Sequence, residues 1–118
     1  MKSGNKGFGN YGENLAKVFL EGLGYRFIAA NYRNRFGEID LIFLDGDVLV
    51  LTEVKIRRKE SAATLEDTIP LSKIKKILKC AEIFIEGSVV GYKEMRIDAV
   101  LILEGSGAQR IDHYKDIY

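Results

Sequence analysis

A chain of 118 residues is long enough for one domain around one hydrophobic core. Its composition, 47% hydrophobic and 30% charged, is that of a folded globular protein and excludes the disordered and fibrous classes. The formal net charge of +1 supplies no general attraction for nucleic acid, so any cationic surface must come from local clustering.

Residues 1–9 are glycine-rich and basic, without periodicity, and read as a flexible arm ahead of a single domain spanning 10–118. This stretch lacks the apolar core of a signal peptide. No apolar run approaches the ~18 to 20 residues of a membrane helix. The single cysteine, Cys80, cannot close an internal disulfide, which fits a reducing compartment. A cytoplasmic protein with no membrane partner is expected.

From Asn10 the pattern turns helical: Leu15, Val18, Phe19 and Leu23 recur at helical spacing, and Gly24 supplies a stop. Asn10 could cap this helix, with Glu13 three residues on closing a capping box. Tyr25 to Asn31 predicts a short strand. Two apolar runs follow, Glu38–Leu44 and Val48–Ile56, joined by Asp45-Gly46-Asp47, a strong hairpin signal because glycine supplies positive φ. Residues 57–67 read as an exposed loop. Pro70 suits the first turn of a helix running to about Glu86. The stripe of that helix is Leu71, Ile74, Ile77, Leu78, Ala81 and Ile85, with Lys73, Lys75, Lys76 and Lys79 on the other face. Met95–Leu103, interrupted by Asp98, predicts a strand, and Arg110–Tyr114 a last edge strand. The order predicts an α/β fold: a mixed sheet of about five strands flanked by helices.

Three carboxylates and an ammonium sit inside the apolar hairpin. With Gly46-Asp47 as its loop, Asp40 falls opposite Glu53 and Glu38 opposite Lys55. Strand alternation then puts Asp40, Glu53 and Lys55 on one face. Opposed carboxylates destabilise a sheet unless neutralised. Lys55 offers one positive charge and a divalent cation could offer the rest; Mg²⁺, or Mn²⁺ in its place, suits hard oxygen ligands and bridges readily to phosphate. A solvated hairpin face, with Glu38 paired to Lys55, is the plainer alternative. The apolar runs around the acids favour a covered strand pair with a cleft at its end.

Asp40 followed by Glu53-Val54-Lys55 resembles the D…(D/E)-x-K signature of restriction-endonuclease-like nucleases, although Ile39 stands where a proline often precedes the aspartate. Gly12-Glu13, Ala16, Phe19-Leu20, Gly24-Tyr25, Asn31-Tyr32-Arg33, Gly37 to Ile42, Glu53 to Arg57, Lys73, Ala81 and Arg96-Ile97-Asp98 together resemble the small bacterial YraN-like family, UPF0102, from about Gly9 to Ile111. That family is similar in its core to archaeal Holliday-junction resolvases. The resemblance implies a restriction-endonuclease-like core and a metal-dependent endonuclease acting on DNA phosphodiester bonds, structure-selective as resolvases are. A non-catalytic nucleic-acid-binding module on the same fold is the alternative. By position, Asp40 and Glu53 would be the metal-binding acids, Lys55 the catalytic lysine and Glu13 an additional acid of the site, competing with its reading as a cap residue. Glu38 would support the site or pair with Lys55. Lys73 could contact phosphate. Arg96 and Asp98 share a strand face and could pair with each other, or Arg96 could anchor an acid of the site. His113 and Cys80 have no partner spacing that suggests chemistry.

Arg57 and Arg58 follow the acids directly, and Arg33 and Arg35 precede them across a short turn. Basic clusters on both sides would let a polyanion approach carboxylates that otherwise repel it. No base-reading motif is visible, so contacts with DNA are expected to follow backbone and shape. A homodimer would supply two sites, as in the resolvases, though nothing in the sequence defines its interface.

Overall fold

The computed structural model describes the backbone of residues 3–60 and 64–118, and side chains from Tyr11 onward. The elements in chain order are α1 (Ser3–Gly22), β1 (Arg26–Asn34), β2 (Gly37–Asp45), β3 (Val48–Arg58), α2 (Leu65–Thr68), α3 (Leu71–Glu86), β4 (Glu94–Glu104) and β5 (Arg110–Tyr114). The strands form one mixed sheet in the order β1-β2-β3-β4-β5. All neighbours are antiparallel except β3 and β4, which run parallel and are joined by the α2–α3 crossover. This is the expected α/β class and strand count.

The near-continuous apolar runs are explained by burial on both faces. Leu41, Phe43, Val50, Val100 and Ile102 pack with Ala16 and Leu20 of α1. Their neighbours Ile42, Leu44, Leu49, Leu51, Ile97 and Ala99 pack with Ile74, Ile77, Cys80 and Ala81 of α3. Strand period two thus meets a helix on each side.

The hairpin has its expected loop. Asp45 pairs with Val48, Gly46 has φ 63°, and the same register runs from Leu44↔Leu49 to Leu41↔Thr52. The paired ladder ends there, one pair short of Asp40 and Glu53. Alternation breaks at the same place: Ile39 lies in the α3-side core and Leu41, two residues on, in the α1-side core. Opposite this point on β1, Asn31 adopts φ 53°, a left-handed conformation that asparagine tolerates better than most residues. The sheet is thus unpaired between β2 and β3 where the acids sit, while β1 and β2 stay paired.

Three local expectations are revised. The helical backbone of α1 starts at Ser3, so Asn10 lies inside the helix and does not cap it; of the anticipated arm, Met1 and Lys2 lie outside the described residues. A capping box forms instead at α2, where Thr64 Oγ1 accepts from the Asp67 N–H (3.0 Å) and Asp67 Oδ2 accepts from the Thr64 N–H (3.4 Å). The segment expected as loop therefore carries the end of β3 and this short helix, while residues 61–63 lie outside the described residues. Pro70 sits at the N-cap of α3, one position ahead of the first turn.

Candidate active site

A pocket of about 360 Å³ lies where β2 and β3 diverge. It is lined by Gly12 and Glu13 from α1, Glu38 and Asp40 from β2, Glu53 to Ile56 from β3, and Lys73 from α3. Strands supply the central acids, and α1 and α3 each add one charged residue. The glycine in this lining has a packing reason: a Cβ on Gly12 would stand 3.0 Å from Ile56 Cδ1 and 3.1 Å from its Cγ1, so a side chain there would force the Ile56 side chain to yield where α1 lies on β3.

Asp40 takes the place of a ladder partner. Its Oδ2 accepts from the Val54 N–H at 2.8 Å, so a side chain satisfies the backbone donor left by the shortened ladder. Burial nevertheless raises its pKa from 3.8 to about 7, helped first by the charge of Glu53 and then by Glu13 and Glu38, while the Val54 bond opposes the shift. Glu13 is displaced the same way, chiefly by burial and further by Glu38 and Glu53, against a hydrogen bond from Asn31 Nδ2 (2.9 Å). Asn31 thus ties β1 to the acid of α1. Glu13 belongs to the pocket, and its capping alternative falls with the earlier helix start.

Glu53 is 2% exposed. Its Oε2 meets two ammonium groups, Lys73 Nζ at 3.2 Å and Lys55 Nζ at 3.7 Å. Its Oε1 is buried and has no hydrogen-bond partner among the described residues. A carboxylate oxygen in that condition is costly unless a ligand completes it.

The charge pairing differs from the expected pattern. Lys55 pairs with Glu53 and not with Glu38, because the ladder that would have brought it opposite Glu38 has ended. Glu38 reaches Arg33 instead, at 3.4 Å. Lys73 holds Glu53 directly. Its helix brings it there from a position distant in sequence, so no spacing rule could have paired the two.

Arg33, Arg35, Lys73 and Lys76 line a separate groove of about 490 Å³ with Phe36, and this groove shares Glu38 and Lys73 with the acidic pocket. Arg57 and Arg58 border a recess of about 420 Å³ that meets the pocket at Ile56. Cationic surface therefore adjoins the acids on two sides, as the sequence suggested.

Arg96 and Asp98 lie outside this pocket. They pair with each other (Nε to Oδ1, 2.9 Å), and Arg96 also donates to Asp45 Oδ2 (3.1 Å) and the Tyr25 hydroxyl (2.8 Å). Asp98, fully buried, further accepts from the Asp116 N–H and contacts His113 Nε2 at 2.8 Å. These partners lie at the hairpin-loop end of the sheet and along β5, so of the two readings the pairing of Arg96 with Asp98 is the one formed, and neither residue lines the acidic pocket. His113 was missed as a partner because β5 is aligned with β4 only by tertiary pairing.

Among the described residues, no group of three or more His, Cys, Asp or Glu side chains is arranged to hold a metal by itself. Also among them, no helix is long and apolar enough to cross a membrane.

Fold and pocket together define a class: a small α/β domain whose mixed five-stranded sheet opens at a hairpin base into a carboxylate–lysine pocket. The chain belongs to the uncharacterised protein family UPF0102, the YraN-like family, whose model matches residues 12–102. A UPF0102 protein of Rhodococcus opacus is 36% identical over 115 residues, covering 97% of this chain and 98% of that protein. One from Dictyoglomus turgidum is 35% identical over 99 residues, 84% of either chain. One from a Sulfurihydrogenibium species is 39% identical over 94 residues, covering 80% of this chain and 82% of that protein. The matched span contains every residue that lines the acidic pocket.

Proposed function

We propose that this protein is a metal-dependent endonuclease that hydrolyses DNA phosphodiester bonds, with the preference for branched or structured DNA implied by its resemblance to resolvases. The observation that carries the reading is Glu53 Oε1, an orphaned buried acceptor in a pocket with Asp40 and two lysines. A sheet stabilised only for folding gains nothing from such an atom. The donor set fits a divalent, oxygen-preferring cation: Asp40 and Glu53 would hold Mg²⁺ or Mn²⁺, and water and phosphate oxygens would complete its shell, as is usual for Mg²⁺. When bound, such a cation polarises a phosphoryl oxygen and lowers the pKa of water.

The chain's own groups do the rest. The Val54 N–H fixes one oxygen of Asp40. Lys55 presents an ammonium to the same pocket, where it offsets the negative charge that builds on the phosphoryl oxygens during attack. The flanking arginines and lysines draw the polyanion past the acids by charge, with no base-reading element involved.

A second reading is a non-catalytic nucleic-acid-binding module on the same fold. It is favoured by the lack, among the described residues, of a three-ligand metal cluster. Cleavage of a panel of branched, nicked and linear DNAs with Mg²⁺ and Mn²⁺ separates the two. The nuclease reading expects metal-dependent products that fall by at least about a hundredfold in Asp40→Asn and Lys55→Ala, in line with loss of one charge-stabilising group, with unchanged circular dichroism. Intact substrates throughout, with binding retained in both variants, would leave the binding module.

A further inference from the structure

Among the described residues, Lys73 is the one cation that lines both the acidic pocket and the larger basic groove. Its Nζ lies 3.2 Å from Glu53 Oε2, closer than Lys55, yet 39% of its side chain is exposed. It stands in the first turn of α3, so its stem can swing from the pocket to the groove without moving the helix. Lys76, one helical turn on, lines the groove only.

Glu53 therefore has two kinds of claimant. Its Oε2 is held by ammonium groups, while its Oε1 has no partner among the described residues. A divalent cation entering at Glu53 would meet the positive charge of Lys73 at close range, and like charges in a partly dry pocket repel strongly. Release of Lys73 relieves that repulsion and delivers its ammonium to the groove, where it joins Arg33, Arg35 and Lys76.

We propose that Lys73 is an exchangeable counter-ion: it holds Glu53 in the metal-free protein and moves to a phosphate of the nucleic acid in the adjoining groove when a divalent cation takes Glu53. This rests on the metal-dependent reading of the pocket. Cation binding and polyanion binding are then coupled through one side chain, since each ligand favours the position of Lys73 that the other needs.

The test compares wild type with Lys73→Gln, Lys73→Arg and Lys76→Gln, each first checked for an unchanged thermal melt. Mn²⁺ is titrated calorimetrically at pH 8.5. A fluorescein-labelled single-stranded DNA 20-mer is titrated by anisotropy, once in EDTA and once in Ca²⁺. Lys73→Gln should bind Mn²⁺ about tenfold more tightly, the equivalent of ~1.4 kcal/mol, while Lys73→Arg and Lys76→Gln keep the wild-type affinity. Lys73→Gln should bind the oligonucleotide nearly as wild type in EDTA, where Glu53 already sequesters the lysine, and several-fold more weakly in Ca²⁺. Lys76→Gln should weaken oligonucleotide binding equally in both conditions. Equal Mn²⁺ affinity in wild type and Lys73→Gln, or an equal oligonucleotide loss in EDTA and Ca²⁺, overturns the exchange and leaves the nuclease reading standing. No Mn²⁺ binding by any of the proteins overturns both.

Discussion

The carboxyl of Asp40 is held by one backbone N–H and pressed by burial and three acidic neighbours, and the second influence wins, with a pKa near 7. Because this value exceeds that of the unfolded chain, folding takes up a proton. The stabilisation is complete below about pH 4 and is lost as pH rises through about 7, with a slope bounded by one proton, about 1.4 kcal/mol per pH unit. In chelator, the melting temperature of wild type should therefore fall across that window relative to Asp40→Asn. The variant should be the more stable protein at pH 8 and lose that advantage by pH 4. A constant difference between the two melts would contradict the raised pKa. Asp98 matters through its pairing, with Arg96 Nε 2.9 Å from its Oδ1. Asp98→Ala strips the Arg96 guanidinium, itself only 14% exposed, of its main partner. Breaking a buried pair this way should cost about 3–5 kcal/mol, measurable by urea unfolding, and Asp98→Asn should cost less because it keeps the shape and an acceptor.

At the scale of elements, the site depends on how closely α1 lies on β3. Gly12 makes that approach, and Ile56 leaves a Cβ no room without yielding. Gly12→Val should destabilise by about 1–3 kcal/mol through overpacking, and by lifting α1 it should withdraw Glu13 from Asn31. A thermal melt reads the first effect, and the second appears as a changed amide environment at Asn31 in NMR. The strands were legible because apolar runs and one strong turn mark them: β5 matches its predicted limits and the hairpin loop falls on Gly46-Asp47. The start of α1 was not, because helical backbone over a glycine-rich stretch carries no apolar stripe. The small helix α2 went unread although Thr64 and Asp67 bear a capping signature. Four residues hold too few apolar positions to show a period.

For the whole molecule, a net charge of +1 conceals a segregated surface. Cationic walls on two sides frame an acidic floor, so an approaching polyanion meets the walls first. Nucleic-acid affinity should fall steeply with salt, and neutralising a groove or recess cation, as in Lys76→Gln or Arg57→Gln, should reduce the log–log salt slope by about 0.7–0.9 each. Anisotropy titrations between 50 and 200 mM salt, about the range over which counterion release is large, check this. A slope indifferent to both substitutions would place the polyanion elsewhere.

By itself the sequence determined the class of fold, the hairpin loop with its register as far as Leu41↔Thr52, and the gathering of Asp40, Glu53 and Lys55, because these depend on local periodicity, turn chemistry and short spacing. It also narrowed the basic residues to those beside the acids in the chain. Tertiary structure alone decided which charges distant in sequence meet. Lys73 and Glu13 reach the pocket on helices packed against opposite faces of the sheet. Arg96 and Asp98 turn to Tyr25, Asp45 and His113. The paired strands diverge just before Asp40 and Glu53 would have been locked face to face. Such contacts arise from packing between segments far apart in the chain, and no residue's immediate neighbours in sequence encode them.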